Sequence, residues 1–403
     1  MFKKTDEKIP SNLECTDRHQ QLLPQPNVMT DLTQVPSIRD IHQIAAHFPL
    51  NGRFVDSFPY GSGHINDTLV VTYDQAGVRV RYIFQRINRH IFKDVPLLMN
   101  NIKHVTEHLA KSTQGDNRRA LTLVRTIEGS PFYQTPAGDC WRVYLFIERA
   151  RTYDELKSPA QAFEAARAFG VFQKSLADLP GEQLKESIPG FHNTRQRFEA
   201  LRKAADENVA GCRSGVAAEL DFAFRREASV DCLLDLAKSG TLPGRVTHND
   251  TKINNVMLDE TTGEGICVID LDTVMPGLSL YDFGDMVRTA TSPTAEDERD
   301  LSRIGVRMAV FEALARGFTQ GAGAMLVEAE WENLVLAGKL MTFEVGIRFL
   351  TDCLQGDIYF KTKRPGHNLD RCRAQFRLVE CLEECTEEMH DIVRGLREES
   401  AQK

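Results

Sequence analysis

Along the first third of the chain apolar and polar positions alternate, and beyond Ser158 they recur every three or four residues. The alternation predicts strands in RFVDSFPY and DTLVVTY, which flank GSGHIN (Gly61–Asn66), and in VRVRYIFQRIN, reached through the turn DQAG. ALTLVRT and CWRVYLFIERA predict two further strands. A helix precedes this block at Pro36–Phe48, with Ile38, Ile41, Ala45 and Phe48 on one face behind a Ser37 cap, and a second, Val95–Lys111, interrupts it. Past Ser158 the period is that of long amphipathic helices, among them one near Phe163–Leu176, several after Ala295, and a last one over about Leu369–Leu396. A short β-type island, RVTHND with GICVIDLD, breaks the helical part. The pattern predicts an α+β architecture with a small β-rich lobe followed by a large, mainly helical one. Its parts are a polar extension (1–34), a small β-rich N-lobe (35–150) and a large, mainly helical C-lobe (151–403).

Composition narrows the partners. With 403 residues, 42% hydrophobic and 26% charged, the chain has the make-up of an ordinary globular protein with ample core. A net charge of −8 argues against nucleic acid, whose phosphates need clustered Lys and Arg. No apolar run is long enough to span a bilayer, and MFKKTDEKIPSNLECTDRHQQ lacks the apolar centre of a signal peptide. Nine scattered cysteines without a CxxC pair predict reduced thiols and a cytoplasmic protein; a monomer or small homo-oligomer is expected, on no feature of the cysteines.

The island carries the chemistry. HNDTKINN (His248–Asn255) fits H-x-D-x-x-x-x-N, the spacing of the kinase catalytic loop. Phosphoryl transfer needs an acceptor hydroxyl aimed in line, a carboxylate for its proton, and Mg²⁺ across the phosphates of ATP. In this loop Asp250 would take the proton, Asn255 would offer an amide oxygen to Mg²⁺, and Lys252 would face the charge developing on the γ-phosphate. His248 reads as a structural hydrogen-bonding residue. Asp270 follows Asp250 by 20 residues across the turn DETTGEG, where kinases place their metal-binding aspartate. The DFG-like triplet Asp282-Phe283-Gly284 comes 32 residues after Asp250, beyond Pro276 and Gly277, and reads as coincidental. Asp282 and Asp285 are instead expected to cap a helix starting near Gly284. Asp272 shares a strand face with Asp270 and is open to either a metal or a structural role.

The nucleotide side is expected at Gly61, Ser62, Gly63, His64 and Asn66. Backbone N–H groups from Ser62 to Asn66 would contact phosphates there, and His64 and Asn66 would face the cleft. The lysine that kinases carry on their third strand is absent, and FQRIN offers Arg86, with Gln85 as its rival. Glu107 is a candidate partner for that cation. The backbone of Glu148–Ala150 is expected at the hinge, against adenine.

HNDTKINNVMLD followed by CVIDLDTVMPGLSLYDFGDMVR resembles the aminoglycoside phosphotransferase and choline kinase superfamily. Within it, the D-T-K loop, the IDLDT-x-M-P segment and the GHIN loop are similar to those of N-acetylhexosamine 1-kinases. The likeness runs from about Phe54 to Arg377 and is most specific between His248 and Arg288. It implies an α+β, bilobal, protein-kinase-like fold and transfer of the ATP γ-phosphate to the anomeric hydroxyl of N-acetylglucosamine or N-acetylgalactosamine, with a small-molecule sugar as partner. It also implies that an arginine and a tyrosine eleven residues apart help hold the sugar, here Arg348 and Tyr359. With His64, Asp250 and Asp270 they would form the acceptor site.

Two other readings stand beside this one. The acidic run ECLEECTEE (Glu380–Glu388) could attract an amine-bearing alcohol such as choline or an aminoglycoside, or it could be a solvated helix face. A catalytically dead nucleotide-binding protein is the third, and the presence of Asp250, Asn255 and Asp270 counts against it. Against a protein kinase stand the missing activation segment between Asp270 and Arg288 and Asn249 in place of the loop arginine.

Overall fold

The computed structural model describes residues 38–61, 65–180 and 184–402. The predicted Ser37 cap, the polar extension and Ser62, Gly63 and His64 lie outside them. The N-terminal part begins with α1 (Ile38–Ala45), β1 (Arg53–Pro59), β2 (Asp67–Gln75) and β3 (Val78–Arg86). It continues through α2 (Val95–Ser112), β4 (Leu123–Val124), β5 (Tyr133–Gln134) and β6 (Cys140–Leu145). These strands form one antiparallel sheet in the order β1-β2-β3-β6-β4, with β5 also on β6. One face buries Leu69, Val71, Tyr82, Phe84, Trp141 and Val143 against Ile41, Ile44 and Phe48 of the α1 region. The alternate positions, Ile83 and Tyr144 among them, face the larger core with Leu98, Met99 and Ile102 of α2. Gln85 and Arg142 sit opposite each other in the β3–β6 register, on that second face. Helix α2 starts where Asp94 accepts the Leu97 N–H at 2.9 Å and Pro96 occupies the first turn.

The chain leaves the sheet through β7 (Ala150–Arg151) and enters α3 (Pro159–Ser175), α4 (Thr194–Glu207), α5 (Ala217–Phe224) and α6 (Cys232–Lys238). The β island follows as β8 (Arg245–Thr247), β9 (Val256–Asp259), β10 (Gly265–Val268) and β11 (Met275–Gly277). The remainder is α7 (Ser279–Ala290), α8 (Met308–Ala322), α9 (Glu328–Glu332), α10 (Leu334–Gln355), α11 (His367–Glu384) and α12 (Thr386–Ala401). The long C-terminal helix expected from periodicity is thus two helices, interrupted at Cys385. The strand expected from ALTLVRT shrinks to two paired residues, because β6 accepts partners only at Leu123 and Val124 along it.

Two pairings fix the site. β9 and β10 form a hairpin joined by β7, and β8 pairs with β11, Thr247 opposite Met275. The loops leaving β8 and β10 are thereby brought side by side. Beneath them α7 packs on α10 so closely that a Cβ on Gly284 would lie 2.4 Å from the Ala337 carbonyl oxygen. The glycine of the DFG-like triplet is therefore a packing residue, and Phe283 beside it is fully buried among Phe311 and Phe318.

Gly284→Ala should therefore cost about 1–3 kcal/mol through overpacking and lower the thermal midpoint. Nucleotide affinity of the folded protein, measured by calorimetry, should stay within about twofold of wild type.

Candidate active site

The loop after β8 is shaped by its own side chains and by helix α7. Asn249 takes a left-handed backbone conformation (φ 64°), which Asn tolerates better than most residues. Its amide donates to the Thr273 carbonyl at 2.9 Å and accepts from the Thr247 hydroxyl at 3.0 Å. His248 spans the two loops: its Nδ1 accepts the Asp250 N–H at 3.3 Å and its Nε2 faces the Ile269 carbonyl at 2.8 Å. The rings of Phe169 and Phe172 enclose it. These contacts give His248 the structural role expected of it.

Helix α7 begins at Ser279, five residues before the expected start, so Asp282 and Asp285 lie inside it and cap nothing at its end. They serve the neighbouring loop. The fully buried Asp282 carboxylate accepts the backbone N–H groups of His248 (2.9 Å) and Asn249 (2.7 Å) and the Gln173 amide (2.5 Å). Burial pushes Asp282 above the usual carboxylate range, while His248 and these donors pull it back. Asp285 accepts the Thr251 N–H at 2.9 Å and pairs with Arg288 at 2.8 Å.

Above this support the expected catalytic residues meet. Asp250 Oδ2 lies 3.0 Å from Lys252 Nζ and accepts from Asn255 Nδ2 at 3.1 Å. The same amide nitrogen donates to the Asp250 carbonyl at 2.8 Å, which leaves the Asn255 oxygen for another partner. Asp250 holds the Lys252 ammonium above its ordinary pKa. Asp270 follows β10 in a left-handed conformation (φ 59°) and, unlike Asp272, is open to solvent. Desolvation by the surrounding loops, then Asp272 and Asp250, push its carboxyl above the usual carboxylate range.

Asp272 joins the two lobes. It forms an ion pair with Arg142 of β6, and its other oxygen accepts the Asn66 amide at 2.6 Å. Arg142, 1% exposed, donates from Nε to Gln85 at 2.9 Å, and Asn66 accepts the Asn88 N–H at 3.0 Å. Burial opposes the Arg142 charge, but Asp272 beside it more than offsets this and keeps it charged. The sequence reading missed Arg142. Its signal was a lone charge within the apolar strand CWRVYLF, a placement that requires a partner.

The other expected nucleotide groups are differently placed. Arg86 turns to Asp67 of β2 (2.7 Å from Nε) and lies 3.8 Å from Asp139, so Gln85, not Arg86, adjoins the interlobe pair. Glu107 pairs with Arg125 rather than with Arg86. The Glu148 and Arg149 carbonyls accept from Arg118, the Glu148 carboxylate takes Arg81, and Ala150 pairs with Asp259 in the sheet. The carbonyls of Glu148 and Arg149 and the Glu148 carboxylate are thus engaged within the protein. Gly61 takes a left-handed φ of 82°, with open space where a Cβ would stand.

On the far side of the loop, Arg348 lies over the rings of Phe191 (5.0 Å) and Phe360 (5.7 Å). Glu344, one turn earlier on α10, faces His192 Nδ1 at 2.8 Å, and His192 Nε2 lies 3.3 Å from the Asn249 carbonyl. Tyr359 is exposed and packs edge-on against Phe360. Its loop is held because buried Asp352 accepts the N–H groups of Ile358 (2.9 Å), Tyr359 (2.7 Å) and Phe360 (2.9 Å). Arg348 and Tyr359 thus flank one aromatic ring, linked through His192 to the loop that carries Asp250.

The donor set suits a hard cation. Asp250, Asp270 and Asp272 crowd one region, and a divalent ion would relieve the repulsion that raises Asp270. Among the described residues no three His, Cys, Asp or Glu side chains converge as a finished cage. Mg²⁺ rarely uses one, because water and phosphate oxygens complete its shell. Asp270 and the Asn255 oxygen are the groups that would hold it, since both oxygens of Asp272 are already engaged.

A small antiparallel sheet set over a helical region, with these loops between them, defines the class: bilobal, kinase-like proteins. The chain belongs to the family described as "Phosphotransferase enzyme family", which it matches over residues 58–321. Among solved structures it is similar to an aminoglycoside phosphotransferase from Alicyclobacillus acidocaldarius. The TM-score is 0.57 at 14% identity, covering 92% of this chain and 98% of the other. It is also similar to spectinomycin phosphotransferase in complex with ADP and spectinomycin (TM-score 0.54, 13% identity, 87% and 99% covered). Choline kinase from Cryptosporidium parvum gives 0.52 at 15% identity, with 87% and 97% covered. At these identities the likeness is one of fold. Among the described residues no helix is long and apolar enough to cross a membrane.

Arg142→Met would strand Asp272 as a buried, unpaired charge and should cost about 3–5 kcal/mol in denaturant unfolding. Adding Asp272→Leu should restore most of that stability without restoring phosphotransferase activity. Recovery of both would leave the pair with no part in the site.

Proposed function

We propose that the protein transfers the γ-phosphoryl group of ATP to the anomeric hydroxyl of an N-acetylhexosamine. The observation that carries this reading is the arrangement of Asp250, hydrogen-bonded to Asn255 and beside Lys252, near the solvent-open Asp270 that follows the adjoining hairpin. Family membership supports phosphoryl transfer to an alcohol. Structural neighbours solved with ADP or AMP support a nucleotide as donor. The choice of an N-acetylhexosamine rests on the likeness of the D-T-K, IDLDT-x-M-P and GHIN segments and on Arg348 and Tyr359 flanking Phe360.

Asp250 accepts the acceptor's proton and holds its oxygen in line. Asn255 and Lys252, both on Asp250 Oδ2, fix that carboxylate in one rotamer. Lys252 then stands beside the transferring group, where negative charge spreads in the transition state. When bound, Mg²⁺ neutralises phosphate charge. Arg142 and Asn66, through Asp272, keep the sheet and the Asp270 loop in register. Tyr359 offers an exposed ring and hydroxyl to a sugar face, and Arg348 offers guanidinium donors.

A second reading, an amine-bearing alcohol as acceptor, is favoured by the aminoglycoside and choline substrates in the names of the structural neighbours. The acidic run gives it little help: Glu380 and Glu384 pair with Arg377, and Glu383 pairs with Arg226.

Phosphorus NMR of products from ATP with N-acetylglucosamine, N-acetylgalactosamine, choline and an aminoglycoside separates these readings. A sugar 1-phosphate signal is expected; a 6-phosphate or a choline phosphate would replace the reading. Asp250→Asn should lower kcat by at least about a thousandfold while ATP still binds. Near-normal turnover in that variant would remove Asp250 as the base.

A further inference from the structure

Helices α4 and α10 each bring one arginine to Phe191. Arg197 of α4 donates to the Phe191 carbonyl from Nε (3.2 Å) and from Nη2 (2.9 Å). Arg348 of α10 lies over the Phe191 ring, 5.0 Å from its centroid, and over the Phe360 ring at 5.7 Å. Both side chains keep part of their surface in solvent. Among the described residues neither forms an ion pair, and Arg348 has no hydrogen bond.

The neighbouring acids are committed elsewhere. Glu344 gives one oxygen to His192 Nδ1 (2.8 Å) and the other to the Thr194 hydroxyl (2.6 Å). Asp352 accepts three backbone N–H groups and the Asn368 amide, which also reaches Asp357 at 2.8 Å. Arg142, Arg245 and Arg288, likewise withdrawn from water, each hold a carboxylate. Arg197 and Arg348 do not, so positive charge accumulates beside Phe191. Burial, and then Arg348, lower the pKa of Arg197, in keeping with two cations that lack a counter-charge. Neutral hydroxyl groups would leave that charge standing. An oxyanion would neutralise it and take several guanidinium N–H donors at once.

The pair lies on the acceptor side of the catalytic loop. Tyr359 is close enough to act on the Arg197 charge. His192, next to Phe191, has its Nε2 3.3 Å from the carbonyl of Asn249, the residue before Asp250. We infer that Arg197 and Arg348 form an oxyanion subsite, and that the acceptor is an N-acetylhexosamine bearing a carboxylate or sulfate away from its anomeric carbon. The inference rests on the reading under Proposed function and narrows it from neutral to anionic sugars. Arg348 is already a candidate sugar ligand there; Arg197 is the added specificity-determining residue.

The test compares N-acetylglucosamine with its 6-sulfate and with its C6-carboxylate (uronic acid) form as acceptors for the full-length protein. C6 lies outside the ring, so it carries the charge without the loss of a ring hydroxyl. Wild type is expected to favour at least one anionic acceptor in kcat/KM by about tenfold, and the favoured one identifies the oxyanion. Arg197→Gln is expected to abolish that preference by raising KM for the anionic sugar about tenfold more than for the neutral one. Arg197→Lys, which keeps the charge but not the fork, should retain part of it. If Arg197→Gln does not fold, Arg348→Gln takes its place with the same expectation. A wild type that favours the neutral sugar, or a preference that neither glutamine variant moves, overturns the subsite. If no sugar is phosphorylated, the proposed function falls, and titration calorimetry with the 6-sulfate and the C6-carboxylate decides the subsite separately. Binding that Arg197→Gln weakens about tenfold upholds it; no heat, or equal affinities, overturns it.

Discussion

The buried carboxylate of Asp282 accepts two successive backbone N–H groups, those of His248 and Asn249, and every other feature of the site builds on that contact. Hydrogen bonds to a charged acceptor in a low-dielectric interior are stronger than neutral ones, and donors left unpaired there are costly. Asp285 repeats the device one turn later with Thr251. A loop held this way can keep Asn249 in a left-handed conformation and present Asp250 to the cleft with little freedom to relax. The acids of the DFG-like triplet region are thus foundation rather than site, which is why they are the more deeply buried ones.

A second constraint acts across the lobes. Arg142 comes from the sheet, Asp272 from the loop after β10, and Asn66 from the segment after the glycine loop; the three meet at one carboxylate. Any movement of the sheet relative to the helices must stretch this contact or carry Asp272 along with it. The proposed ligand Asp270 stands two residues away, so the electrostatics that bind the lobes also set the field at the metal position. Breaking one partner of such a pair is more damaging than replacing both, which makes the pair a means of separating structural from catalytic effects.

Much of this was legible in the sequence, for identifiable reasons. Strands β2 and β3 and helices α2 and α3 follow from strict periodicity, although the Asp94 and Ser158 caps that set the helix starts were not part of that reading. The juxtaposition of Asp250, Lys252 and Asn255 follows from spacing alone, because a tight loop between two short strands admits few geometries. The break at Cys385 was hidden because apolar residues continue in phase on both sides of it. The placement of Arg86 was hidden because its partner Asp67 is set by cross-strand register, which a linear pattern does not carry. Arg142 was hidden for the same reason, since its partner lies 130 residues away. The true start of α7 was obscured by Pro276 and Gly277, which were read as strand breakers but are paired residues of β11 and do not delay the helix.

The central claim is that Asp250 and Asp270, not Asp282, face the phosphates. Anomalous diffraction from crystals grown with Mn²⁺ and a non-hydrolysable ATP analogue tests it directly. The account predicts a manganese peak within coordination distance of Asp270 and the Asn255 amide oxygen, with Asp250 free to meet an acceptor. A peak on Asp282, or an Asp270 carboxylate turned away from the phosphates, would contradict it.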